Sequence, residues 1–147
     1  ASFLRRVKEL GYAVKLDTNG TRPEVLRALV GEGLVDYVAM DVKNSPARYA
    51  LTAGVPAAEL SGVFTSMDFL LSGTVDYEFR TTVVRELHTE ADIAAIADRI
   101  AGARRYFLQN FKDSGSLVGA GTYTAQTLAA MCKIACDKGI PTELRGV

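Results

Sequence analysis

The chain is poor in the residues that announce a metal centre or a disulfide framework. It has two cysteines, Cys132 and Cys136, and one histidine, His88, in 147 residues. So few thiols do not build a disulfide-rich secreted domain, and they suggest a reducing, cytoplasmic setting. Net charge is also missing. Lys plus Arg and Asp plus Glu number 17 each, with no block of one sign. That excludes the charged footprint of a nucleic-acid or membrane-surface binder. No apolar run approaches the roughly 18 residues that a transmembrane helix needs. What is present is an ordinary globular composition, 48% hydrophobic and 23% charged. One domain of this length buries roughly 70% of the surface that its unfolded chain exposes.

Ala1 leads directly into SFLRRVKEL, which reads as the last turns of an amphipathic helix, with Phe3, Leu4, Val7 and Leu10 at helical spacing. Neither an initiator Met nor a signal peptide precedes it. The expectation is a piece of something longer. Gly11 follows as a helix stop, and Tyr12 to Leu16 reads as a short strand ending at Asp17. Pro23 opens a second helix, whose apolar stripe is Val25, Leu26, Leu29 and Val30. Val35 to Val42 reads as a strand, Ser45 to Tyr49 as a short helical turn and Ala57 to Leu71 as a helix. Val75 to Val84 is the strongest strand, rich in aromatic and β-branched residues. Thr89 to Ile100 is a helix with a Thr-x-x-Asp start, a variant of the capping box. Arg104 to Gln109 is a strand, Thr124 to Lys138 a helix, and Pro141 to Leu144 a last strand. Strands alternating with helices imply an α/β fold with a parallel sheet.

Strand parity sharpens this. Side chains alternate across a strand. Lys15 and Asp17 therefore share one face, as do Tyr37, Ala39, Asp41 and Lys43, and as do Glu78, Arg80, Thr82 and Val84. The opposite faces are apolar. Strands covered on both sides read as continuous apolar runs, and these do not. The expectation is that helices cover one face, while Asp17, Asp41, Lys43, Glu78 and Arg80 converge on the inside of an open or partial barrel. Barrel enzymes place their chemistry at the strand C-termini. Charges gathered there persist only when paired with one another or with a ligand.

The runs LDTNGTRPEVL, LVDYVAMDVK, DYEFRTTVV and RRYFLQNF, in this order and spacing, resemble the radical S-adenosylmethionine activating enzymes of glycyl-radical proteins. Within that group the likeness is to the anaerobic ribonucleoside-triphosphate reductase activating proteins, over essentially Phe3 to Gly146. The resemblance implies the C-terminal part of a partial (β/α)6 barrel. Residues 1–147 would then be a single domain holding strands three to six, a C-terminal helix and a last strand. It implies that Asp17, Thr18, Asn19, Asp41, Lys43 and Gln109 hold the cofactor and that Arg80 faces the substrate as the catalytic candidate. S-adenosylmethionine and a [4Fe–4S] cluster would be the cofactors of the full-length enzyme. A glycyl-radical enzyme would be its partner, a flavodoxin or ferredoxin its electron donor, and a 5′-deoxyadenosyl radical its means of hydrogen abstraction.

The family's CxxxCxxC loop does not occur here, and a cluster needs cysteine thiolates. Cys132 and Cys136 lie four apart on a helix and read as small packing residues. The chain by itself is therefore expected to bind no metal cluster and to be inactive. His88 reads as an exposed loop histidine, with an acid–base role as the alternative. Tyr123 and the loop 113 to 122, rich in Gly and Ser, read as a lid or a connector. Two other functions are open. Leu16 to Thr21 is one residue from the DxDGT run of haloacid-dehalogenase-like phosphotransferases, with Asp17 as nucleophile and Asn19 in place of the second Asp. A non-catalytic docking fragment would instead pair, or self-associate, through an exposed sheet edge at Tyr12 to Leu16.

Overall fold

The computed structural model describes residues 1–112 and 121–146. Along the chain run α1 (Ser2–Glu9), β1 (Lys15–Thr18), α2 (Pro23–Gly31), β2 (Tyr37–Asp41) and α3 (Tyr49–Ala53). After one 3-10 turn at Ala57–Glu59 come α4 (Leu60–Leu71), β3 (Asp76–Val83), α5 (Glu90–Arg99), β4 (Tyr106–Asn110), α6 (Ala125–Asp137) and β5 (Thr142–Arg145). The five strands form one sheet in the order β1-β2-β3-β4-β5, and every neighbouring pair is parallel. The expected α/β alternation is thus present, including the last strand.

One apolar cluster holds the sheet to its helices. Val38, Met40, Tyr77, Phe79, Val83, Tyr106 and Leu108 come from one face of β2, β3 and β4. Against them lie Leu26 of α2, Met67 and Leu70 of α4, Ile93 and Ile96 of α5, and Leu128 and Met131 of α6. All the crossover helices therefore pack on a single face. Each fully buried side chain of this size contributes roughly 1.5–3 kcal/mol. The loop 113–122 falls mostly outside the described residues, so the lid reading lies outside them too.

The helix starts follow local chemistry. Thr89 and Asp92 form a reciprocal capping box at the start of α5. The Asp92 carboxylate also accepts from Ser45 Oγ at 2.8 Å and from Arg48 at 2.8 Å, so the cap of α5 anchors the segment after β2. Burial alone would raise the Asp92 carboxyl, but these hydrogen bonds outweigh it and hold the group below its ordinary value.

Two expectations fail at the start of the chain. Phe3 and Leu10 are exposed, and only Leu4 and Val7 of the α1 stripe pack against the core. Tyr12 is exposed and precedes the strand. For the late start of the strand the physical reason is Asp36. Its carboxylate takes the Val14 amide at 2.6 Å, so that N–H is capped by a side chain and the ladder opens at Lys15.

Candidate functional site

The sheet face that the helices leave uncovered carries the charge. Register places Asp17 opposite Ala39, Ala39 opposite Glu78, and Asp41 opposite Arg80. Ala39 and Glu78 are buried there, so this face has a closed floor between two polar groups.

The first group lies at the C-terminal ends of β1 and β2 and beside them in the middle of β3. Arg80 is its hub. Its guanidinium stands 3.1 Å from the Asp41 carboxylate and 3.4 Å from that of Asp17. The Lys43 ammonium completes the set, 3.5 Å from Asp41. Arg80 is only 20% exposed, whereas the Asp17 side chain is 62% exposed. Two carboxylates and two cations thus meet at the edge of water, in loose contacts that leave acceptor and donor positions open. A cavity of about 320 Å³ lies beside them, lined by Asp41, Lys43, Arg80, Thr82 and His88. A second, of about 450 Å³, opens on the other side of Lys43 towards Asn19, Thr21 and Tyr49.

The two strand ends are fixed by their own sequences. In LDTNG, Thr18 Oγ1 accepts the Gly20 amide at 3.0 Å, and Asn19 Oδ1 accepts the Thr21 amide at 3.1 Å, a pair of local turns. Gly20 has φ +75°, and an added Cβ would fall 2.1 Å from the Met40 methyl. Only glycine fits there. Ser66 of α4 donates to its carbonyl at 2.7 Å. In MDVK, the Val42 amide donates to Arg80 O at 2.7 Å and Thr81 Oγ1 donates to Val42 O at 2.8 Å. Tyr106 in turn donates to Thr81 Oγ1 at 2.7 Å. Tyr49 donates to Asp41 O at 3.3 Å, and burial pushes its phenol up to about 12. The backbone at Asp41 and Val42 is therefore held by hydrogen bonds, while the Asp41 and Lys43 side chains are half in water.

The second group sits further down the same face. Glu78, 3% exposed, is gripped by both Arg145 nitrogens at 3.0 Å. It also accepts from Tyr37 at 3.1 Å, and Lys15 lies 3.6 Å away. Arg145 stacks on Phe107, its guanidinium carbon 3.4 Å from the ring centre. Burial alone would raise the Glu78 carboxyl, but the bonds from Arg145 and Tyr37 and the charges of Arg145 and Lys15 prevail and hold it lowered. Three hydrogen bonds and the Lys15 charge use most of its acceptor capacity.

The expected single convergence is thus two groups. Asp17, Asp41, Lys43 and Arg80 come together, and Glu78 does not join them. Of the other candidates, Asn19 lines the larger cavity with its oxygen committed to Thr21. Thr18 turns to its own loop. Gln109 is exposed one row beyond, opposite Thr82 and Arg145. A nucleophilic Asp17 would find no acidic partner at Asn19, and its nearest charged neighbours are Arg80 and Lys15.

Sequence reasoning missed His88. Expected in solvent, it is 2% exposed, inserted between the ends of β2 and β3. Nothing in its spacing announces this, because the tight turn from Val84 to His88 reads as a plain connector. It also missed Arg145 as the partner of Glu78, although parity puts Arg145 on the charged face.

The cysteines lie away from both groups, on α6. Their sulfurs are 3.2 Å (Cys132) and 3.6 Å (Cys136) from the Thr142 carbonyl. Burial, followed by its neighbour Cys136, pushes the Cys132 thiol up to about 11, which favours the form that does not bind metal. Cys132 packs on the core, whereas Cys136 is exposed, contrary to the packing role expected of it. Among the described residues no group of three or more His, Cys, Asp or Glu could hold a metal ion, and no helix is long and apolar enough to cross a membrane.

No protein-family model matches the chain. A protein of Methanocaldococcus jannaschii, MJ1227, provisionally named a glycyl-radical enzyme activating enzyme, is 36% identical over 111 residues. The match takes in 74% of this chain and 46% of that protein, so the chain spans about half the length of its relative. The crystal structure of a domain of pyruvate-formate lyase-activating enzyme from Bacteroides vulgatus superposes with a TM-score of 0.81. That overlap covers 99% of this chain and 88% of that one at 16% identity, a likeness of fold. The chain is accordingly a homologue of a glycyl-radical enzyme activating enzyme over most of its length, built on the fold seen in a pyruvate-formate lyase-activating enzyme domain.

Proposed function

We propose that the chain is part of a radical S-adenosylmethionine activating enzyme, one that generates a glycyl radical on anaerobic ribonucleotide reductase or a similar partner. Residues 1–147 form one domain, with β1 to β4 as strands three to six of a partial barrel. The observation that carries this reading is the meeting of Asp17, Asp41, Lys43 and Arg80 on the uncovered face at the strand ends.

The donor set suits the ligand. S-adenosylmethionine carries an ammonium, a carboxylate and a sulfonium. Two carboxylates and two cations, half-exposed beside a cavity of about 320 Å³, can answer each of them. When bound together with a [4Fe–4S] cluster, it supplies the radical chemistry. The chain's own contribution is orientation and exclusion of water. Asp41 and Asp17 receive cationic groups. Lys43 receives the carboxylate, with Arg80 beside it holding Asp41 and Asp17 through its three nitrogens, and Arg80 also faces the protein substrate. Asn19 lines the approach, with Thr18 fixing its loop, and Gln109 stands at the far rim.

The cluster does not fit this chain. Its two thiols are on the helical layer, one of them strongly raised. The cluster ligands then lie outside residues 1–147, in the same polypeptide or another, and the chain alone is inactive. The decisive experiment takes the full-length protein, reconstituted with iron and sulfide without air and supplied with a flavodoxin-type reductant. Formation of 5′-deoxyadenosine from S-adenosylmethionine is the expected result. No product, or a complete polypeptide without CxxxCxxC, would end the reading.

A further inference from the structure

His88 is a buried imidazole with both nitrogens engaged, and none of the roles assigned above uses it. Nδ1 has both the Val84 amide at 3.0 Å and the Val84 carbonyl at 3.2 Å beside it; we assign it as the acceptor of the amide, with the ring proton on Nε2, because the shorter contact on the other side is to a carbonyl. Nε2 is 2.8 Å from the Lys43 carbonyl, so it donates there. The β2–β3 ladder has ended by then. Asp41 opposite Arg80 is its last register pair, and Val42 N to Arg80 O its last main-chain bond. The imidazole therefore spans a gap that the backbone no longer closes.

The turn that carries His88 is itself held from two sides. Its carbonyl accepts from the Tyr123 hydroxyl at 2.7 Å. Asn44, next to Lys43, donates to Leu87 O at 2.8 Å. The turn between β3 and α5 is thereby tied to residue 43 and to the segment entering α6.

We infer that His88 is a positioning residue for the polar site: it fixes the main chain of Lys43 and so holds the ammonium beside Asp41, between the two cavities that share Lys43. This rests on the reading that the Asp41, Lys43 and Arg80 group binds the ligand. Lys43 is otherwise the least restrained member. It lies past the end of β2, and its side chain is nearly half exposed. A flexible four-carbon side chain on a loose backbone would lose binding energy to ordering. A fixed carbonyl removes the backbone share of that loss.

Two substitutions separate the bonds. The amide nitrogen of Gln reaches the place of Nε2, so His88→Gln keeps the donor to Lys43 and loses the acceptor for Val84. The oxygen of Asn takes the place of Nδ1, so His88→Asn keeps the acceptor and loses the tether. In the full-length protein, S-adenosylmethionine affinity measured by calorimetry should fall by about fivefold in His88→Asn, the worth of one hydrogen bond. His88→Gln should stay within about twofold of wild type. Backbone hydrogen exchange around residues 43–45 should quicken in His88→Asn and not in His88→Gln. The wild-type ring should show the Nε2-protonated tautomer by nitrogen NMR. A proton on Nδ1, or equal exchange at 43–45 in both variants, overturns the tether. Equal affinity in both variants overturns the positioning role. Asp41→Ala is the control: unchanged affinity there refutes the ligand site itself, while exchange and tautomer still decide the tether.

Discussion

Two charged groups occupy the same uncovered face, and they are built to opposite rules. Glu78 is closed. It is 3% exposed, doubly bonded to Arg145, and further satisfied by Tyr37 and Lys15. Asp17, Asp41, Lys43 and Arg80 are open. Their contacts run from 3.1 to 3.5 Å, and Asp17 is 62% exposed. A carboxylate with three hydrogen bonds and a cation beside it has little left to offer a ligand. An unsaturated group on a backbone held by hydrogen bonds has both the capacity and the geometry. The difference teaches that charge on an inner sheet face is not by itself a site, and that what matters is how much of its hydrogen-bonding capacity the fold has already used.

Substitutions can break that contrast. The largest effect is expected at the closed group. Glu78→Ala removes the hydrogen bonds from Arg145 and Tyr37, leaves Arg145 and Lys15 as solvated cations and should destabilise the fold by about 2 kcal/mol, read from the urea midpoint. A loss of stability at Asp41→Ala as large as this would erase the distinction. Acid should act on the same bond. The folded Glu78 carboxyl is lowered, so its contribution is fully present above its ordinary value of 4.5 and is lost as pH falls through the lowered value. Glu78→Gln should flatten that part of the acid-unfolding curve. Tyr37→Phe removes one bond to Glu78 and one from Arg105 and should cost about 1 kcal/mol. Asp17→Ala, at an exposed pair, should change stability by no more than about 0.5 kcal/mol.

Much of this was legible in the sequence, for identifiable reasons. The alternation of Val38, Met40 and Val42 with Tyr37, Asp41 and Lys43 fixed which face would be covered. The Thr89 to Asp92 spacing located the start of α5, because capping is a local matter. LDTNG and MDVK stood out because polar residues closed apolar strands. What was not legible depends on distance. Tyr12 lost its strand to the Asp36 side chain, 24 positions on in the sequence. Glu78 found Arg145 67 positions away, across β4. His88 was buried by partners just past the ends of two different strands. Parity gives the face on which a charge lies and says nothing about which neighbour claims it.

The account rests on the open group being the binding wall and the closed one being scaffold. The direct measurement is calorimetric titration of the full-length, reconstituted protein with S-adenosylmethionine, comparing Asp41→Ala and Tyr37→Phe with wild type. The account predicts that Asp41→Ala weakens binding at least about tenfold, or about 1.4 kcal/mol, while Tyr37→Phe stays within about twofold. Undiminished binding by Asp41→Ala, or an equal loss in both variants, would contradict it.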